Sequence, residues 1–217
     1  MKFTSLFVVL FIVVLGSVAA PARADITVMN PSFELTSTAL PLAFPCGTGC
    51  SFNVGPIPDW TITGQSGSFQ PNSTYFNLPL PDGNIVAFSN GGTISQTLAA
   101  SLTANTTYVL SVDAGRRLDE LAGNNTYSIA LYAGTTLLNS FSDTIFAIPI
   151  GTFADETLTF TSGATIAPGA LSIVLTSAGS QTNFDDVRLT ESAVPEPSSL
   201  SLLAGALGVM FFVFRRR

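Results

Sequence analysis

The sequence predicts an all-β protein, an antiparallel β-sandwich, with an apolar segment at each end of the chain. Residues 25–190 contain short runs rich in Val, Ile, Thr, Tyr and Phe, separated by Gly, Asn, Pro and Ser, and show no sustained helical period. Many short strands without intervening helices are typical of a sandwich. No internal repeat is present, so a single domain is the simplest interpretation.

Ten segments match the strand pattern. Two of them, 107–114 and 170–176, have the apolar character of central strands, and residues 133–135 (AGT) fit a hairpin turn. The loop-rich stretch 46–84 holds five prolines and predicts long connections at one end of the sandwich. The other predicted strands are 26–29, 60–63, 85–89, 93–98, 126–132, 136–141, 156–161 and 184–190.

The N-terminus predicts a signal peptide over residues 1–24. Lys2 precedes a nearly continuous apolar run, 3–18, and the small-x-small sequence Ala22-Arg23-Ala24 follows. We expect cleavage after Ala24, with Ala20 as the alternative. The small-x-small sequence argues against a signal anchor that stays uncut. Residues 25–190 then form an exported ectodomain.

Charge excludes several function classes for this ectodomain. Residues 25–190 hold three of the eight basic residues but all except two of the 14 acidic residues. A surface this acidic repels phosphate backbones, so nucleic acid is not an expected partner. The sequence contains no histidine, which removes the commonest general base and transition-metal ligand.

Two cysteines, Cys46 and Cys50, flank the segment Gly-Thr-Gly. An even cysteine count in an exported chain predicts a disulfide, and the glycines permit the tight turn that it requires; free thiols are the alternative. With no further Cys or His, a zinc site is not expected.

The C-terminus has three parts in order. A linker, 191–197, contains Val194-Pro195-Glu196-Pro197; residues 198–214 are uncharged and mostly apolar, enough for a short transmembrane helix; and the chain ends in Arg215, Arg216 and Arg217. This order resembles the PEP-CTERM sorting signal of exopolysaccharide-producing Gram-negative bacteria, also catalogued as an ice-binding-protein C-terminal domain. The alternative is an ordinary membrane anchor.

That resemblance implies a route and a partner. A membrane protease, the exosortase, would recognise the region of Pro195-Glu196-Pro197 while the apolar helix holds the chain in the inner membrane. The arginine cluster 215–217 would stay in the cytoplasm. Cleavage would release the ectodomain to the cell surface or the extracellular polysaccharide matrix.

The ectodomain itself resembles galactose-binding-like jelly rolls and the related carbohydrate-binding modules. The similarity rests on residues 30–34 (NPSFE), 57–60 (IPDW), 81–83 (PDG) and 184–189 (FDDVRL) in this order, with Pro31 where the family usually has glycine. The resemblance implies a structural calcium ion between the first and last strands. By position it would be held by Glu34 and Asp185, with Asp186 as the alternative carboxylate and backbone carbonyls completing the shell.

Ligand-binding residues are harder to nominate. Sugar-binding modules stack pyranose rings on exposed aromatic side chains, and Tyr75, in the polar loop 72–75, is the better candidate. Trp60 is the second candidate, although its position at the start of a strand favours a core role.

The sequence does not predict an enzyme. The adjacent acid pairs 119–120, 155–156 and 185–186 would point to opposite faces of a strand or lie in turns, and no Gly-x-Ser-x-Gly elbow or phosphate loop occurs. The expected function is a non-enzymatic surface or matrix protein that contacts exopolysaccharide. The alternatives are a permanently anchored structural or adhesive envelope protein and a carboxylate-based glycoside hydrolase.

Overall fold

The fold was analysed in a computed structural model, which describes residues 22–37, 42–121, 123, 125–179 and 181–194. These residues form eleven β-strands and one short 3-10 helix, Ile145–Ala147. The strands are β1 (Arg23–Ile26), β2 (Phe44–Gly47), β3 (Cys50–Val54), β4 (Thr61–Gln70), β5 (Val86–Ser101), β6 (Thr106–Gly115), β7 (Thr126–Ala133), β8 (Thr136–Thr144), β9 (Phe153–Thr161), β10 (Ala170–Ala178) and β11 (Thr182–Ala193).

Every strand pairing in the described residues is antiparallel. One path runs β2-β3-β4-β5-β10-β7-β8, and a second set joins β1, β11, β6 and β9. β5 belongs to both sets, because residues 87–89 pair with β11 and residues 93–101 with β10. This arrangement confirms the predicted all-β antiparallel fold.

The main core lies between these two sets of strands. Leu131 and Ile173 from β7 and β10 share one buried cluster with Leu110, Phe184 and Leu189 from β6 and β11. Alternation along each strand sends these apolar side chains inward and the side chains between them toward the opposite face of the sheet. The hydrophobic effect on this shared face therefore fixes the register of the central strands.

A second, smaller cluster lies on the opposite face of β4 and β5. Ala87 belongs to the main core, whereas its neighbours Val86 and Phe88 point the other way and join the second cluster. Phe76 and Leu80, from the connection between β4 and β5, are buried there too. The strands thus carry an apolar surface on both faces, and the second face supports the site described below.

Four strand assignments differ from the sequence-based prediction. The first strand, β1, covers Arg23–Ile26 and not residues 26–29. The segments 85–89 and 93–98 form one 16-residue strand, β5, because Gly91 takes a φ of +72° without leaving the sheet. β4 extends to Gln70 rather than ending near 63, with a bulge at Gly64, whose φ is +67°. The stretch predicted to be loop also contains the hairpin β2–β3, which adds an edge to the sheet.

The N-terminal segment 1–21 and the C-terminal segment 195–217 lie outside the described residues, and with them most of the predicted signal peptide, the transmembrane helix and the arginine cluster. Arg23 and Ala24 are described: they lie in β1, opposite Ser192 and Glu191 of β11.

Among the described residues, none forms a helix with the length and apolar character needed to cross a bilayer.

Candidate functional site

An aromatic-lined pocket of about 390 Å³ lies over the second apolar cluster. We call it the aromatic pocket. Its wall contains four aromatic rings and six further side chains: Phe52, Phe69, Tyr75 and Phe88, then Cys46, Val54, Gln65, Asn90, Arg117 and Gln181. Strands β3, β4 and β5 supply most of this wall, so a rigid sheet positions most of the rings.

Strand register brings the three phenylalanines together. Phe52 and Phe69 are direct cross-strand partners, and Phe88 lies opposite Gly67 on the next strand. Gly67 is required there, because a Cβ atom would come within 1.9 Å of the carbonyl oxygen of Asn53. The rings of Phe52 and Phe88 meet edge to face at 6.4 Å, a favourable aromatic geometry.

A tight turn places Tyr75 in the wall. The amide of Tyr75 donates to the carbonyl of Asn72 at 3.0 Å, and the Asn72 side chain accepts from the amide of Thr74. The next residue, Phe76, is fully buried and stacks on Phe153 at 4.7 Å. With the turn anchored in this way, the Tyr75 ring meets Phe69 edge to face at 5.5 Å.

Arg117 comes from the connection between β6 and β7. Its guanidinium lies 4.5 Å from the centre of the Tyr75 ring and 5.8 Å from that of Phe69. Nε donates to Asp119 Oδ1 at 2.7 Å, Nη2 donates to Asp119 Oδ2, and Nη1 donates to Gln181 Oε1 at 2.7 Å. Arg117 is therefore held in place as part of the pocket wall.

The chemistry that this wall offers is limited and specific. Its described lining contains no carboxyl group, and Cys46 is disulfide-bonded. Tyr75 and Arg117 are the ionisable members, while Gln65, Asn90 and Gln181 add neutral amides. Such a site can enclose an apolar, aromatic ligand and orient it through a few polar groups.

The two ligand-binding residues predicted from the sequence lie in different environments. Tyr75 lines the aromatic pocket. Trp60, by contrast, is 6% exposed, packs against Phe33 at 5.1 Å and donates its indole N–H to the carbonyl of Asn30. Trp60 is thus a core residue and not a ligand platform, because its ring face and its N–H both have protein partners.

Glu34 and Asp185 both reach the loop that precedes β5. Glu34 Oε1 accepts from the amides of Asn84 and Ile85 at 2.7 Å, and Asp185 Oδ2 accepts from the amide of Asp82 at 3.1 Å. Asp186 instead pairs with Arg188 at 3.3 Å. The two carboxylates therefore fasten one loop to the strands.

The predicted calcium ion would need more oxygen ligands than Glu34 and Asp185 supply. Calcium takes roughly six to eight oxygen ligands. Backbone N–H groups already bind oxygens of both carboxylates, and within the described residues no cluster of three or more Asp, Glu, His or Cys side chains could hold a metal. Calcium binding at Glu34 and Asp185 stays a prediction, which melting temperatures in calcium and in chelator would test.

The other predicted residues lie as follows. A disulfide joins Cys46 and Cys50, with a Cα–Cα distance of 5.1 Å, and Cys46 lines the aromatic pocket. Val194 is described, and its amide donates to the carbonyl of Asn105 at 2.8 Å. The rest of the sorting motif, Pro195, Glu196, Pro197 and the three terminal arginines, lies outside the described residues.

Sequence reasoning missed most of the pocket. From the sequence, Phe52, Phe69 and Phe88 are expected to be ordinary core residues. Arg116 and Arg117 are expected to lie in a solvated loop, with binding of an acidic sugar as the alternative. The rings belong to three different strands, and only the register between those strands brings them together. The one signal in the sequence for a second apolar surface is that successive residues of β5 are apolar, so that both of its faces are apolar.

Comparisons with known proteins give two family matches. The model of the HpiC1 cyclase family matches residues 24–190, and the model of the PEP-CTERM protein-sorting motif matches residues 193–217. The second match confirms the predicted sorting tail, which implies exosortase-dependent export. The comparison with curated proteins found no match.

Several solved structures are similar. An apo cyclase from Fischerella sp. shares 26% identity at a TM-score of 0.65, covering 80% of this chain and 98% of that one. A cyclase from Fischerella sp. TAU in complex with 4-(1H-indol-3-yl)butan-2-one shares 25% identity at a TM-score of 0.63, covering 80% and 100%. The carbohydrate-binding module TmCBM61, bound to β-1,4-galactotriose, shares 15% identity at a TM-score of 0.47, covering 76% and 98%.

These matches overturn one sequence-based expectation. The prediction of a non-enzymatic protein is wrong, since both the family model and the similar structures point to a cyclase. The same matches also argue against the alternative of a glycoside hydrolase. The expectation rested on the lack of nucleophile and paired-acid motifs, whereas the aromatic pocket has four aromatic rings and no carboxyl group in its described lining. The chain belongs to the HpiC1-like family of cyclases.

Proposed function

We propose that this protein is an exported cyclase that binds an aromatic, indole-type substrate in the aromatic pocket and folds it for ring closure. The observation that carries the proposal is the pocket itself, about 390 Å³ with four aromatic rings in its wall. A similar Fischerella cyclase has been crystallised with an indole-bearing ketone, which suggests the ligand class to test first.

The pocket suits such a ligand physically. Its volume lies within the range of roughly 300–1,000 Å³ typical of small-molecule sites. An indole ring gains both apolar burial and edge-to-face contacts with Phe52, Phe69 and Phe88. Enclosure by these side chains also holds a flexible substrate in a folded conformation, which lowers the entropic barrier to an intramolecular reaction.

Aromatic walls also support the chemistry of ring closure. In an isomerising closure a carbon–carbon σ bond forms as a π bond is consumed, and any proton added at one atom is balanced by a proton lost from another. The faces of electron-rich rings stabilise positive charge that develops on the substrate. Tyr75 is the lining residue whose hydroxyl can both donate and accept a proton, so we assign it the proton-transfer role.

Calorimetry with the full-length protein, purified in detergent, tests binding directly. 4-(1H-Indol-3-yl)butan-2-one is the probe, and Phe52→Ala should weaken its binding by about tenfold, the effect of losing roughly 1.4 kcal/mol of aromatic contact. Phe160→Ala is the matched control, because it removes another half-buried strand phenylalanine, one that packs on the main core. Equal affinities for the two variants would contradict this assignment of the site.

Activity tests the role of Tyr75 separately. With alkenyl-indole substrates, the expected product has the mass of the substrate and one more ring, which chromatography and NMR detect. Tyr75→Phe should lower kcat by roughly 100-fold while leaving KM within about twofold, since the ring remains and only the proton-transfer group is lost. Tyr132→Phe, on β7 outside the pocket lining, should leave both constants unchanged.

Contact with extracellular polysaccharide is a second candidate function. The observation that favours it is that Gln65, Asn90 and Gln181 line the same pocket as Tyr75, a combination of amides and aromatic surface that also suits sugars. Retention of the full-length protein on the host's own exopolysaccharide is the measurement. Loss of retention in Tyr75→Ala, together with displacement by the indole probe, would place both ligands in one pocket.

A further inference from the structure

We infer that Arg117 makes the aromatic pocket selective for aromatic substrates that carry a carboxylate. This inference rests on the proposed function and specifies its substrate class. It follows from the position of Arg117 in the wall, from the charge balance around it and from the donors that its guanidinium has left.

The guanidinium of Arg117 is rigidly presented to the pocket. It stacks on Tyr75 at 4.5 Å, two of its N–H groups bind Asp119 and a third binds Gln181. An arginine fixed in this way loses little conformational entropy on binding a ligand, unlike a free surface side chain. Tyr75 and Gln181 line the same pocket, so the contacts that fix Arg117 also direct it there.

Arg117 is the one charged side chain among the described residues that line the pocket. The side chain of Arg117 is 20% exposed, whereas that of its partner Asp119 is 50% exposed and does not line the pocket. Because no carboxyl group occurs among the described lining residues, nothing else in the wall offsets Arg117.

The guanidinium also keeps donors for a ligand. Asp119 and Gln181 use three of its N–H groups, and the remaining two have no partner within the described part of the chain. A carboxylate is the group that pairs best with two N–H groups of one arginine, through charge-assisted hydrogen bonds. The aromatic part of the same ligand would then lie against the rings of Phe52, Phe69 and Phe88.

A matched pair of probes tests the inference. Indole-3-butanoate and indole-3-butanamide have the same shape, and only the first carries a negative charge. Calorimetry with the full-length protein in detergent near neutral pH should show the carboxylate binding about tenfold more tightly than the amide. In Arg117→Gln the two probes should bind equally, at the affinity that the amide has for the unmodified protein.

Two further variants keep the test decisive. Arg188→Gln removes one positive charge from a 48% exposed site on β11 and should leave the preference unchanged. Asp119→Asn leaves Arg117 in place but removes its carboxylate partner, so the preference should increase by several-fold; this variant serves also if Arg117→Gln fails to fold.

Each outcome has one meaning. Equal binding of both probes by the unmodified protein, or a preference that persists in Arg117→Gln, would overturn the role of Arg117 while leaving the aromatic site intact. Failure of both probes to bind would overturn the proposed function, and this inference with it.

Discussion

The carboxyl group of Asp185 has no solvent exposure and lies on the same face of the sheet as a second buried acid, Asp113. Its oxygens accept from the amides of Asp82 and Asp186, and its cross-strand partner on β6 is Asp113. Burial raises the pKa of Asp185 to about 8, although the two amide hydrogen bonds act in the opposite direction. Burial, and then the charges of Asp155 and Asp186, raise the pKa of Asp113 to about 6, with Arg188 opposing.

These shifts predict that the folded protein loses stability as the pH rises. A carboxyl whose pKa is higher in the folded than in the unfolded state binds its proton more tightly when folded, so its contribution is fully present below the unfolded pKa near 4. That contribution is lost as the pH rises through about 6 for Asp113 and about 8 for Asp185. In the presence of chelator, so that no calcium ion binds Asp185, we expect the melting temperature to fall by on the order of 5 °C between about pH 5 and pH 9.

A neutral side chain at Asp185 isolates its share of this effect. Asp185→Asn should flatten the dependence of the melting temperature on pH above about pH 6, whatever its absolute stability. Asp25→Asn, which neutralises an exposed acid on β1, should leave the slope as it is. A slope in Asp185→Asn equal to that of the unmodified protein would show that another group carries the pH dependence.

At the scale of single elements, the sequence predicted strands well where one face alone is buried. β6, β7 and β10 alternate between core and surface, so their pattern suffices for the prediction. β5 was divided in two, because Gly91-Gly92 resembles a turn when the partners of the strand are unknown. The hairpin β2–β3 was missed because its glycines and proline match loop composition, while its stability comes from pairing with β4.

That hairpin also connects the disulfide to the aromatic pocket. The carbonyl of Thr48, between Cys46 and Cys50, accepts from the side chain of Asn72 at 2.9 Å. Asn72 begins the turn that places Tyr75 in the wall, and the carbonyl of Tyr75 accepts from the amide of Leu118 beside Arg117. Disulfide, tyrosine and arginine are thus joined by a short series of contacts.

Removing the disulfide should therefore affect binding more than stability. We expect Cys46→Ser/Cys50→Ser to lower the melting temperature by only a few degrees, since a short loop gives a small entropic gain, but to weaken binding of the indole probe by roughly fivefold. Dithiothreitol should weaken binding to the unmodified protein similarly and have no effect on the double variant. Unchanged affinity in both experiments would show that the hairpin keeps the pocket intact without the disulfide.

At the scale of the whole molecule, the parts that follow from local sequence were predictable and the site was not. The sorting tail is a contiguous pattern, and its recognition is confirmed by the match over residues 193–217. The pocket unites Phe52, Phe69 and Phe88 with Arg117 and Gln181, which lie far apart in the sequence. Such a set depends on strand register and loop anchoring, so composition and spacing contain little information about it.

Export and sorting make a prediction about the mature chain. The intact mass of the protein from its native host should lack residues 1–24 and everything beyond the region of Pro195-Glu196-Pro197, and the processed form should appear in the extracellular fraction. Cleavage after Ala20 would instead keep all of β1, which pairs with β11, and would add four residues to the measured mass. Glu196→Ala should retain the tail if the exosortase reads this motif, whereas Ser198→Ala should be processed normally. A product found only in membranes, with residues 198–217 still attached, would contradict exosortase release and establish a permanently anchored enzyme.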